Sequence, residues 1–254
     1  MAIGEKIFND LKTLDKRYVL KPSENYRGLS YSDLIVRWQR WLFSDNPDQN
    51  FVDSDILFLR GNIGYHQSNL DYLQSYVEIE EGTSILVPVI TTHHNIGDYH
   101  KCILIKNEFF LRKVIKEHVD AAGPFWATLE AMKSKMTYKI VTNLESYRVE
   151  SMLFELNISE ENPFLDKMDE PNIPGTFMAM VAGYFVLLYC LPPSLYRLRF
   201  GGYGMDSFYT ESLYEIKIIS KKKSQKDVSG QMFTPAHLLK EKKRAIQIPR
   251  KSLV

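Results

Sequence analysis

The chain has 254 residues, of which 44% are apolar, 25% charged and 13% aromatic, and its formal net charge is +1. That apolar share excludes a disordered chain, and a charge so near zero leaves no overall field to select a polyanion as partner. Fifteen Tyr, fourteen Phe and three Trp favour strands and broad contact surfaces over a helical bundle.

In chain order, residues 1–29 form an N-terminal arm. Ile7, Phe8, Leu11 and Leu14 fall at helical spacing and predict a short helix near 4–14, ended before Pro22. The opening MAIGEKIFNDLKTLDKRY is charged throughout and does not read as a signal peptide. The longest apolar run, 177–190, is broken by Gly183 and is too short to span a bilayer. The expectation is a soluble chain, made in the cytoplasm, with no membrane span. Cys102 and Cys190 are too few for a disulfide framework and read as free thiols.

Residues 30–44 give the clearest helix. Ser30 or Ser32 caps it, Asp33 sits in the first turn, and Leu34, Trp38, Trp41 and Leu42 share one face opposite Arg37 and Arg40. Trp38 and Trp41 are expected to seal the helix against a sheet, with an exposed aromatic patch as the alternative. The turn-rich loop 45–55 spaces Asp53 and Asp55 as calcium ligands would be, but lacks the turn glycine and the distal Glu of such a site and reads as solvated. A short strand follows at 56–60. Alternation then predicts strands at 72–80 and 84–90 joined by a Glu81-Gly82 turn, with Pro88 placing the second at an edge or a bulge.

TTHHNIGDYHK reads as a polar loop that gathers the metal candidates His93, His94, Asp98 and His100. Their spacing matches no compact zinc pattern, so no metal, cofactor or catalytic residue is expected. A metal-dependent enzyme, with Glu78 or Glu80 as base, stays as an alternative. Residues 107–121 predict a second helix with Phe109, Phe110, Val114, Ile115 and Val119 as its apolar stripe. Gly123-Pro124 breaks it, and FWATLEAMKSK reads as a further helical piece, so that about 107–135 forms a helical insertion.

MTYKIV and RVESMLFELNI return to period-two alternation within 136–158. The stretch 159–176, with five acids and three prolines, reads as a long exposed loop. GYFVLLYCLPPSLYRLRFGG, 183–202, reads as a hairpin spine: a buried strand from Gly183, a corner at Pro192 and Pro193, and a returning strand ending in Gly201 and Gly202. A last strand places Tyr214, Ile216 and Ile218 on one face. Residues 220–254 then form an extended basic arm. Lys221, Lys222, Lys223, Lys226, Lys240, Lys242, Lys243, Arg244, Arg250 and Lys251 face only Asp227 and Glu241, a pattern suited to an acidic protein surface. Nucleic acid is disfavoured there because stacking aromatics are scarce.

Five pieces in this order carry a resemblance: WQRWLFS at 38–44, LFLRG at 57–61, EEGTSILVPVI at 80–90, NLESYRVESMLF at 143–154, and the 183–202 segment. Over about residues 30–219 the chain resembles a widespread family of uncharacterised bacterial and viral proteins that carry a GYxxLLxPLPPGxHxIxFGG hairpin late in the chain. Its versions without a leader look like proteins of marine tailed phages. Ser194, Tyr196 and Arg199 stand here where that family commonly has Gly and His. The resemblance implies a jelly-roll-like β-sandwich and no established catalytic set.

The fold expected is therefore mainly β (α+β): a sandwich over 30–219 with a few peripheral helices and the basic arm. The function expected is a non-enzymatic structural or interaction protein, most concretely a virion component that meets other protein subunits through its loops and arm. A carbohydrate-binding module is the alternative, with Trp126, Tyr203 and Tyr209 as the stacking candidates.

Overall fold

The computed structural model describes residues 11–45, 47, 51–53, 55–61, 73–100, 103–162, 174–205 and 209–221. The first half contains β1 (Lys12–Thr13), β2 (Val19–Leu20), α1 (Tyr31–Leu42), β3 (Phe51–Asp53), β4 (Ile56–Phe58), β5 (Leu73–Glu80), β6 (Ser84–Asn95), β7 (Tyr99–His100) and β8 (Ile103–Leu104). There follow α2 (Glu108–Asp120), β9 (Phe125–Ala131), β10 (Met136–Lys139), β11 (Arg148–Glu150), β12 (Phe154–Ile158), β13 (Gly175–Leu188), β14 (Ser194–Tyr203) and β15 (Tyr209–Ile219).

The long strands sort into two sheets according to how many of their faces are apolar. In β14 and β15 buried and more exposed residues alternate, so each offers one face to a core and one to solvent. They lie in an outer sheet of order β1-β10-β9-β14-β15-β5. β6 and β13 carry unbroken buried runs and form the centre of an inner sheet of order β11-β13-β6-β4-β3, with β12 and β2 also paired to β13. Between the sheets lies a core that includes Val77, Val87, Leu129, Val186, Leu198 and Ile216. On the other face of the inner sheet α1 buries Leu34, Ile35, Trp38 and Trp41 against Phe58, Val181 and Phe185. This is the expected mainly β sandwich with peripheral helices. Its sheets are mixed: β1–β10, β4–β6 and β5–β15 are parallel pairs.

α1 is fixed at its start by its own sequence and at its end by a distant side chain. Ser30 Oγ accepts from the Asp33 N–H, and the Asp33 carboxylate accepts from the Ser30 N–H, closing a capping box. At the far end the Asn162 side-chain amide donates to the Leu42 and Ser44 carbonyls, both at 2.9 Å. Trp38 Nε1 donates to the Leu59 carbonyl at 2.7 Å and its ring meets Phe185 edge-on at 5.3 Å. The two tryptophans therefore act as a seal, Trp38 2% and Trp41 7% exposed.

Several expectations are corrected. The 183–202 segment is no hairpin: β13 and β14 pair in different sheets, and the chain crosses from one to the other through Pro192 and Pro193. The reason is burial. β13 is apolar on both faces and belongs between α1 and the core, whereas β14 must keep Arg197 and Arg199 wet. The Tyr196 hydroxyl donates to the Pro192 carbonyl at 2.9 Å and holds the corner. The Glu81-Gly82 turn likewise joins β5 of the outer sheet to β6 of the inner one.

β6 runs on to Asn95, so Thr91, Thr92, His93 and His94 belong to a strand and not to a loop. Pro88 sits in this central strand at a register shift, where Tyr184 faces Ile90 and Phe185 faces Pro88. Residues 125–131 form a strand inside the outer sheet, with Ala127, Thr128 and Leu129 buried, so the expected helical insertion shrinks to α2. Within α2 the buried stripe is Leu111, Val114, Ile115 and Val119, while Phe109 and Phe110 face out, Phe109 at 73% exposure. Residues 12–13 are a strand edge beside β10 rather than helix; residues 1–10 lie outside those described.

A candidate recognition face

The solvent side of the outer sheet follows from strand alternation. With Tyr196, Leu198 and Phe200 buried, β14 turns Arg197, Arg199, Gly201 and Tyr203 outward. The register sets Gly201 between Trp126 of β9 and Glu211 of β15, and Tyr203 opposite Tyr209. Three aromatic rings from three strands thus meet at one end of the sheet. Tyr203 and Tyr209 have centroids 5.0 Å apart, Trp126 and Tyr209 5.8 Å, and Trp126 and Tyr203 6.4 Å. These are the three residues the sequence offers for stacking, and the fold gathers them. Tyr203 is 41% exposed.

Gly201 is required by a close approach. A Cβ there would collide with the Thr210 carbonyl on the neighbouring strand. Next along the face, Glu211 is nearly buried, 2% exposed, and its carboxylate accepts from the Tyr209 hydroxyl at 2.7 Å and from Arg199 Nε. Burial, then the Glu211 hydrogen bond and charge, push the Tyr209 hydroxyl well above its ordinary range. Arg197 bridges Glu130 at 3.4 Å and Glu215 at 3.0 Å, and Lys217 meets Glu78 at 2.7 Å. Each of the three cations that β14 and β15 place here is therefore matched by a carboxylate.

Adjacent on β6, His93 and His94 point to opposite faces of the inner sheet. His93 meets Phe43 edge-on at 4.7 Å, and His94 Nε2 lies 3.2 Å from His118 Nδ1 on α2. Asp98 Oδ2 accepts from the Asn95 N–H at 2.6 Å and lies 3.6 Å from His94 Nδ1. Burial, with His94 close by, lowers His93 to about 4. Partial burial pushes the Asp98 carboxyl up, but the His94 and Asn95 hydrogen bonds and the two imidazoles pull it below its usual range. Among the described residues no three His, Cys, Asp or Glu side chains are grouped to hold a metal ion. The His100 side chain lies outside them. The arrangement is a latch: His118, with the Thr92 hydroxyl 3.1 Å from its Nδ1, ties α2 to β6.

Of the ten arm cations, Lys221 is exposed just beyond β15 and the other nine lie outside the described residues. Both ends of the 159–176 loop frame a shallow polar depression lined by Asn157, Glu160, Glu161 and Pro174; residues 163–173 lie outside the described residues. Asp55 pairs with Arg27 at 2.5 Å, while the Asp53 side chain is not described. Sequence reasoning missed His118, which sits on α2 as an ordinary surface-pattern residue, and the Arg199–Glu211 pair. That pair meets only through the β14–β15 register, which the sequence does not display.

No family model matches the chain, and no curated protein matches it. A solved structure described as "Structure of PbICP-C in complex with falcipain-2" is similar at 10% identity and a TM-score of 0.23, covering 65% of this chain and 98% of that one. A likeness at that score carries no argument about this protein. Among the described residues no helix is long and apolar enough to cross a membrane.

Proposed function

We propose that this chain is a non-enzymatic interaction protein: a rigid two-sheet scaffold that meets a partner through the solvent face of its outer sheet. The observation that carries the reading is the convergence of Trp126, Tyr203 and Tyr209 on that face, beside the Arg199–Glu211 pair. Strands position side chains more rigidly than loops do, and the entropy cost of ordering such a face on binding is small. Its place in this reading is in a larger assembly, held there by the basic arm, and the sequence resemblance to phage proteins supports a tailed-phage virion as that assembly.

Co-sedimentation tests the assembly. Particles purified on a density gradient from cells expressing the gene in its own genome contain the chain at fixed stoichiometry, read by quantitative mass spectrometry. A chain found only in the unsedimented fraction contradicts the virion reading.

A further inference from the structure

We infer that the solvent face of the outer sheet is a saccharide-binding site, with Trp126 and Tyr203 stacking on sugar rings and Arg199, held in place by Glu211, donating to hydroxyls. The inference rests on the reading of this face as the recognition surface and names what it recognises.

Four features point to an uncharged polyhydroxylated ligand. The aromatic group is exposed at Tyr203 and backed by Tyr209, whose hydroxyl is tied to Glu211 and so fixes its ring. Sugar rings present C–H faces that pack on such π surfaces, while their equatorial hydroxyls reach sideways to polar groups. Gly201, itself buried, lets β14 approach β15 closely, which sets the rings and the ion pair side by side, and that approach permits no other residue there. Glu211 is held almost wholly out of water and its carboxylate is engaged by Arg199 and the Tyr209 hydroxyl, so it anchors those two side chains in place for the ligand. A guanidinium carries several N–H donors and no acceptor, so Arg199 meets a sugar hydroxyl as a donor.

The balance of charge disfavours the other ligand classes. Arg197, Arg199 and Lys217 are all matched by Glu130, Glu215, Glu211 and Glu78, so among the described residues this face offers a nucleic acid no row of unmatched cations. A neutral glycan displaces none of these pairs.

The test titrates the purified full-length chain with malto-, cello-, chito- and manno-oligosaccharides and with heparin, by calorimetry and by tryptophan emission. At least one neutral series binds and shifts the emission. The Trp126→Ala and Tyr203→Ala variants each weaken that binding about tenfold, on the scale of lost aromatic contacts. Tyr76→Ala, which removes an exposed aromatic on β5 at the far edge of the same face, leaves it unchanged. Circular dichroism confirms that each variant is folded. Should Trp126→Ala unfold, exposed Tyr203 alone decides the matter. No binding by any neutral series, binding of heparin alone, or an unaltered affinity in Tyr203→Ala overturns the inference. Particle co-sedimentation would still stand in that event, so loss of the ligand class is distinguishable from loss of the interaction reading.

Discussion

At Gly183 the chain runs with φ +155°, and a Cβ there would drive into the Ile90 carbonyl at the bulge of β6. Gly183→Ala therefore combines backbone strain with a collision between two central strands. It is expected to lower stability by about 3 kcal/mol, read as a reduced urea midpoint. Tyr31 carries a different kind of debt. Its hydroxyl donates to the Leu20 carbonyl at 2.7 Å and accepts from the Leu187 N–H at 3.0 Å, joining β2 to β13 under α1. Tyr31→Phe leaves both backbone groups buried and unmatched, at a cost of about 2 kcal/mol, and denaturant unfolding should show it without a change in the cooperativity of the transition. Neither role is legible in the sequence: a glycine in an apolar run marks some close approach, but only the register shows against which strand.

Among elements, β6 and α2 depend on each other. The bulge near Pro88 sets Thr92 and His94 toward α2 and His93 toward Phe43, and His118 closes the contact from the helix. With its folded pKa lowered to about 4 against an ordinary 6.5, His93 stays neutral in the fold while the unfolded chain takes up a proton. Stability is complete above about pH 6.5 and falls as the pH drops toward 4, by at most roughly 3 kcal/mol, and by less because His93 is only partly buried as a residue. Urea midpoints across that range should fall more steeply for the wild type than for His93→Gln; parallel slopes would remove His93 as the cause. Composition suggested a polar loop here because His, Asn and Asp collect in loops. Strand pairing to β13 overrode that preference, as it did for 125–131, where helix formers such as Ala, Leu and Glu were forced into a β strand.

For the molecule as a whole, the two-sheet architecture was legible because β5, β14 and β15 alternate while β6 and β13 do not. The route between sheets was not: a Pro-Pro corner and a Glu-Gly turn look alike whether they close a hairpin or carry the chain to a second layer. The candidate site was partly legible. Trp126, Tyr203 and Tyr209 stood out as aromatics, but their meeting depends on the β9–β14–β15 register, and Glu211 is an unremarkable acid until the fold buries it. The basic arm belongs to this scale too. Removing residues 222–254 is expected to leave the thermal transition of the sandwich unchanged while abolishing incorporation into particles; incorporation at the full-length level would deny the arm that role.

Oxidative footprinting of the full-length chain, with and without a saturating neutral oligosaccharide, tests the working face most directly. Trp126 and Tyr203 should lose reactivity together on binding, while Phe109, exposed on α2, keeps its own. Unchanged reactivity at Trp126 and Tyr203, or protection centred on Phe109, would contradict the assignment of recognition to the outer sheet.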